Sequence, residues 1–186
     1  MERMPDLEPE QMNPAQKQVY DAVVAGPRGR LAGPIQSWLR SPEMGMKAQD
    51  LGAAVRFANS MEDRLKELAI LLTGRFWHAQ FEWYAHARIA RDVGLADAYI
   101  DAIEAETRPD FGDDADAAAV YDFIHALIHK HRIPDDAYNN VLNRFGEQGA
   151  VDLVITSGYY TLVGMTLNAF QVALPVGVKG LPEPKL

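Results

Sequence analysis

Cysteine is absent from all 186 residues. That absence excludes disulfides, thiolate nucleophiles and thiolate-bound metals at once, and it fits a reducing compartment. Basic charge is scarce too. Against 26 Asp and Glu stand only 18 Lys and Arg, which leaves a formal net charge of -8, and the cations are scattered along the chain. Nucleic acid and anionic membrane surfaces both call for a basic stripe, so neither is expected as a partner; a small molecule is. The chain reads without an apolar run of ~18 uncharged residues, and its acidic start, M-E-R-M-P-D-L-E-P-E, does not follow the basic-then-apolar order of a signal peptide. A cytoplasmic protein without a membrane segment is the expectation. No segment shows sustained apolar/polar alternation between turn signals, whereas helical period recurs throughout. The expected fold class is therefore all-α, in one domain over residues 1-186.

Punctuation by proline and glycine divides the chain. Residues 1-12 read as an extended arm. Asn13-Pro14 opens a helix that ends before Gly26-Pro27, and the following G-P-R-G-R-L-A-G-P is a loop expected to line a pocket mouth. It lacks the Lys-Ser/Thr pair of a phosphate cradle. Ser41-Pro42 begins a helix running to about Asn59, and Ser60 with Asp63 resembles a capping box. Two helices, about 61-75 and 79-92, should meet near His78, the second capped by Gly94. Helices follow at 96-106, from Asp116 to about His131, and from Asp135 to Phe145. A junction at Gly146 to Gly149 then leads into a long apolar stretch, 151-174, and a closing arm over 175-186. A faint echo between E-L-A-I at Glu67 to Ile70 and D-L-V-I at Asp152 to Ile155 suggests a duplicated helical unit.

The chemistry is concentrated between Arg64 and Gly94. Leu65, Leu68, Ala69 and Leu72 repeat at helical spacing, giving a helix with one buried face, and Glu67 lies beside that stripe. Glu82 and His86 are four apart, on one face of the next helix and close enough to share a proton. Phe76, Trp77, Phe81, Trp83 and Tyr84 crowd ring surface around them, an environment able to move carboxylate and imidazole pKa values towards neutrality. Glu-His pairs of this spacing are also common on solvated faces, and aromatic residues are common in ordinary cores.

The pattern R-x-x-E-L from Arg64 to Leu68, then F-E-W-Y-A-H from Phe81 to His86, then A-x-x-x-G-L ending at Leu95, resembles the carboxymuconolactone decarboxylase family of the alkylhydroperoxidase D-like superfamily. The characteristic part spans about residues 60-105 within a family core of about 60-174, and N-x-F at Asn168 is compatible. The resemblance implies an all-helical AhpD-like subunit in a homo-oligomer, a trimer or hexamer, with its site near a subunit interface. The superfamily's peroxidase branch carries a Cys-x-x-Cys pair where this chain has Ala79 and Glu82, so a thiol cycle has no thiol to run on, whatever the family label of peroxiredoxin activity. The decarboxylase branch has the Glu-Trp-x-x-His arrangement that stands here as Glu82, Trp83 and His86. It implies a cofactor-independent lyase that removes carbon dioxide from a small carboxylated lactone, a reaction of aromatic degradation.

Such a reaction needs a proton donor near the carbon and an anchor for the carboxylate. His86 is the candidate for proton transfer, with Glu82 or Glu67 setting its tautomer, and Arg75 is the candidate carboxylate clamp, beside His78 and Trp83 as substrate-binding residues. Arg75 could equally pair with Glu67 or Glu82. A metal hydrolase is a weaker reading: His78, Glu82 and His86 form an H-x-x-x-E-x-x-x-H ladder, but the outer histidines would stand ~12 Å apart along a helix, too far for one ion. His125 and His129 read as surface residues. No metal and no cofactor is expected. A non-catalytic oligomeric binding protein of the same fold is the rival from another class.

Overall fold

The computed structural model describes residues 3-31 and 33-182. Among them a 3-10 turn, Pro9–Gln11, precedes eight helices: α1 Pro14–Ala25, α2 Pro34–Trp38, α3 Pro42–Phe57, α4 Asp63–Phe76, α5 Gln80–Asp92, α6 Asp97–Glu104, α7 Ala115–Lys130 and α8 Asp135–Phe170. There is no strand among the described residues, so the all-α expectation holds.

Helix α4 is the axis of the molecule. It packs against α5, α6, α7 and α8, and every residue from Leu65 to Arg75 is buried. The apolar stripe predicted one buried face; the structure shows burial all round, because neighbouring helices cover the polar side as well. The polar residues taken inside find partners, as burial requires. Lys66 Nζ donates to the Arg56 carbonyl at 2.8 Å and to Asp63 at 2.6 Å, and Thr73 bonds the Ala69 carbonyl and Ser157. The main core joins Leu65, Leu68, Leu71 and Leu72 to Trp83, Ile100, Phe123, Ile124 and Leu153. A second cluster gathers Val55, Ile70, Tyr159, Tyr160, Val163 and Leu167, and a third holds α1 and α2 together through Val19, Val23, Ile35 and Leu39.

Several boundaries differ from the sequence reading for local reasons. The Ser60 hydroxyl and backbone N–H both donate to Asp152 on α8, so Ser60 caps nothing and α4 starts at Asp63 after Glu62. The cap of α7 is Asp114, which accepts from the Ala117 N–H at 3.1 Å, two residues before the expected opening at Asp116. The C-terminal cap of α5 is as expected: Gly94 and Leu95 donate back to Arg91 and Ala90. The junction after Phe145 is a single residue. Gly146 adopts φ 68°, ψ -176° inside α8, a conformation open to glycine, and helix resumes at once, ending at Phe170 rather than 174.

By length and composition α8 could cross a bilayer, which corrects the reading that no stretch qualifies; 56% of the relevant window is buried against the rest of the protein. The arms are tied down in part. Leu7 and Met12 pack on the third cluster, and the Leu181 N–H donates to Gln80 Oε1 at 2.6 Å. The part of the closing arm from 183 to 186, and residues 1 and 2 of the opening one, lie outside the described residues. The two echoing segments do different work: Glu67 reaches a buried histidine, whereas Asp152 holds Ser60.

Candidate functional site

The break between α4 and α5 creates the site. His78 takes φ 49°, and the chain reverses so that α5 returns along α4. This sets Glu67, two turns before the end of α4, beside His86, two turns into α5. Nδ1 of His86 lies 2.6 Å from Glu67 Oε2, and Nε2 lies 2.9 Å from Glu82 Oε1 and 3.3 Å from the Tyr160 hydroxyl of α8. Glu67, Glu82 and His86 are 3%, 4% and 5% exposed. The Tyr160 ring meets the imidazole edge-on, centroids 5.0 Å apart.

The electrostatics follow from that enclosure. Burial by itself would lower the His86 pKa, but the charges of Glu82 and Glu67 outweigh it and hold the imidazole at about 9, so it is an imidazolium at neutral pH. Burial, with the same two carboxylates, pushes the Tyr160 hydroxyl well above its usual range. Tyr160 is therefore a neutral hydroxyl beside a charged ring.

A cavity of about 400 Å³ opens on this group. Its walls come from the Gly-Pro loop (Pro27, Arg28, Arg30), from the end of α3 (Arg56, Phe57), from α5 (Phe81, Glu82, Tyr84, His86, Arg88) and from α8 (Tyr159, Tyr160, Val163). The loop lines the cavity, as its composition suggested. Four arginines, Arg28, Arg30, Arg56 and Arg88, line this one opening of an acidic protein.

Three residues named from the sequence lie elsewhere. Arg75 is eight residues beyond Glu67, ~12 Å further along α4 and turned by ~80°. Its guanidinium bonds the Glu104 carbonyl at 3.0 Å, pairs with Glu106 at 3.2 Å and faces His78 Nδ1 at 3.3 Å, on the wall of a separate cavity of about 100 Å³. His78, in the turn, is also engaged by Gln80 at 2.9 Å. Trp83 is one position from Glu82 and so points about 100° away, into the main core. Of the expected constellation, Glu67, Glu82 and His86 converge, while Arg75, His78 and Trp83 do not line their cavity.

The residues the sequence reading missed are Arg28, Arg56, Tyr159 and Tyr160. The Tyr-Tyr pair inside the uncharged part of α8 was the available signal; Arg28 belongs to the loop already expected to line a pocket mouth, whereas Arg56 carries no signal, because its proximity depends on how α3 packs. Of His125 and His129, read as surface residues, the first stacks on Tyr121 with centroids 5.2 Å apart and the second lies tilted against His125 at 4.3 Å, beside the smaller cavity. Among the described residues no group of three or more His, Cys, Asp or Glu is placed to hold a metal ion.

No family model matches the chain, and no curated protein does. A solved structure does match: a protein of unknown function from Agrobacterium tumefaciens, described as a candidate antioxidant defence protein AhpD. It is 19% identical, with a TM-score of 0.66 over 78% of this chain and 99% of that one. The resemblance to the decarboxylase branch thus rests on the motif residues. What the likeness carries is the architecture, and the chain has an AhpD-like multi-helical fold.

Proposed function

We propose that this chain is a cofactor-independent lyase that acts on a small carboxylated lactone or related acid, with His86 as the proton donor. The observation that supports it is a buried histidine, His86, set between Glu67 at 2.6 Å and Glu82 at 2.9 Å on the wall of an arginine-lined cavity. In the proposed reaction the bond between the substrate carbon and its carboxylate breaks and carbon dioxide leaves. The electron pair passes into the lactone carbonyl as an enolate, and His86 Nε2 delivers the proton to carbon. Glu67 keeps Nδ1–H engaged, so the proton is given from the nitrogen that faces the cavity. A second carboxylate of the substrate is held by the cavity arginines, a role the sequence reading gave to Arg75. The reading extends to a homo-oligomer.

Carbon dioxide release from carboxymuconolactone, followed together with loss of the lactone's ultraviolet absorbance, tests it. Turnover by the unaltered protein that falls at least a hundredfold in His86→Gln is the expected result. No turnover of this or related lactone acids by a folded protein would overturn the catalytic reading in favour of a binding protein of the same fold.

A further inference from the structure

His86 meets three side-chain oxygens, each from a different helix. Glu67 Oε2 on α4 lies 2.6 Å from Nδ1, while Glu82 Oε1 on α5 and the Tyr160 hydroxyl on α8 lie 2.9 and 3.3 Å from Nε2. An unprotonated ring nitrogen and a carboxylate oxygen both present lone pairs, so each contact under 3 Å needs a proton between its atoms. Two protons are therefore shared among one imidazole and two carboxyl groups. The proton on the Nε2 side has two possible owners. It sits on the ring, which is then an imidazolium between two carboxylates, or on Glu82, which is then a carboxylic acid facing a neutral imidazole. Burial favours the second arrangement, because it removes a charge from each partner. Only the first lets His86 give the proton.

Tyr160 bears on that choice. It is 2% exposed, too enclosed for bulk water to compete for its hydroxyl, and among the described residues its one hydrogen bond is to His86 Nε2. When the ring owns the proton, the hydroxyl oxygen accepts a share of Nε2–H alongside Glu82. When Glu82 owns it, the Nε2 lone pair is already taken by the acid, and the tyrosine oxygen has nothing to accept. The hydroxyl thus stabilises the charged ring against transfer to Glu82. The other charged groups on the cavity wall, Arg28 and Arg30 of the loop, Arg56 of α3 and Arg88 of α5, form no hydrogen bond to the ring.

We propose that Tyr160 is a positioning residue for His86, its hydroxyl oxygen accepting from Nε2–H so that the ring, and not Glu82, holds the proton on that side. The assignment rests on the reading of His86 as the proton donor of this site. Tyr160 acts through the histidine and needs no contact with substrate.

NMR of the His86 ring nitrogens, in the unaltered protein and in Tyr160→Phe, tests this without any substrate. The variant keeps the ring that meets the imidazole edge-on and removes only the oxygen. Both ring nitrogens of the unaltered protein should carry protons at neutral pH. Tyr160→Phe should lower the imidazole pKa from about 9 by about one pH unit, whereas Tyr121→Phe, which takes a hydroxyl from beside the smaller cavity, should leave it in place. A pKa that stays put in Tyr160→Phe overturns the proposal, and so does one that rises, which would mean that the hydroxyl donates to a neutral ring. Should Tyr160→Phe not fold, the unaltered protein decides alone: a protonated Nε2 at neutral pH supports the assignment and an unprotonated one overturns it. With a lactone substrate, Tyr160→Phe should lower kcat about tenfold at little change in KM and carry the alkaline limb of the pH profile down with the pKa. A shifted ring in a protein that turns over no lactone acid leaves this assignment standing and removes the lyase, whereas turnover with an unshifted ring does the opposite.

Discussion

Glu67 on α4 and His86 on α5 are nineteen residues apart in sequence and share a 2.6 Å contact between Oε2 and Nδ1, both nearly sealed from water. A buried carboxylate so placed keeps the imidazole charged and fixes which nitrogen faces the cavity. Removing one member therefore does two things, and the predictions separate them.

His86→Gln should abolish most turnover, by ~100 to 10,000-fold, and should also destabilise the fold by about 3-5 kcal/mol, because Glu67 and Glu82 are left as buried charges without their counter-ion. The near-complete burial of all three side chains is what makes the replacement costly to folding as well as to turnover. Glu82→Gln should lose less activity, since it keeps a polar contact. Thermal denaturation beside the turnover assay checks both parts.

Stability should fall as the solution becomes alkaline. An unfolded histidine titrates near 6.5 and His86 in the fold near 9, so between those values the native state holds a proton that the unfolded chain has released. The stabilisation is fully present below pH ~6.5 and is lost as pH rises through ~9, on the order of a few kcal/mol for a shift of this size. Urea midpoints measured from pH 6 to 10 should decline across that window, and a flat profile would show that the imidazole is not held charged. NMR titration of the His86 ring reads the same quantity directly.

Gly52→Ala should destabilise the protein by about 1-3 kcal/mol, because the added methyl group would stand 2.0 Å from the Tyr159 hydroxyl on an adjacent buried helix. A thermal midpoint equal to that of the unaltered protein would contradict the close packing of α3 on α8.

Hydroperoxides should not be turned over with any thiol reductant, since Ala79 and Glu82 stand where a thiol pair would be needed and the chain has no cysteine at all. Activity above a heat-killed control would refute this.

The outer face of α8 leaves Val151, Val154, Ile155, Leu162 and Met165 exposed on one helix. Light scattering at micromolar concentration should find a homo-oligomer, and Leu162→Glu should weaken it. A monomeric unaltered protein would remove this face as an assembly surface.

Periodicity and punctuation are properties of neighbouring residues, and what depends on them was legible in the sequence alone: the all-helical class, the break at His78 between two helices, the Gly94 cap and an interruption beginning at Gly146, though its length of one residue was not. The Glu82-His86 pairing was legible for the same reason, because four residues of helix set both on one face. Arg75 was misplaced because spacing along α4 says nothing about which neighbour each turn meets. Whether Glu67 reached that histidine, and which arginine faced the cavity, depended on how α4, α5, α8 and the Gly-Pro loop pack. Glu67 and His86 are 19 residues apart in the chain, and Arg28 and Tyr160, on the wall of one cavity, are 132 apart, and local sequence carries no record of either relationship. Only tertiary structure could turn a surface-like pair into a sealed imidazolium, because desolvation and opposed charge act through space.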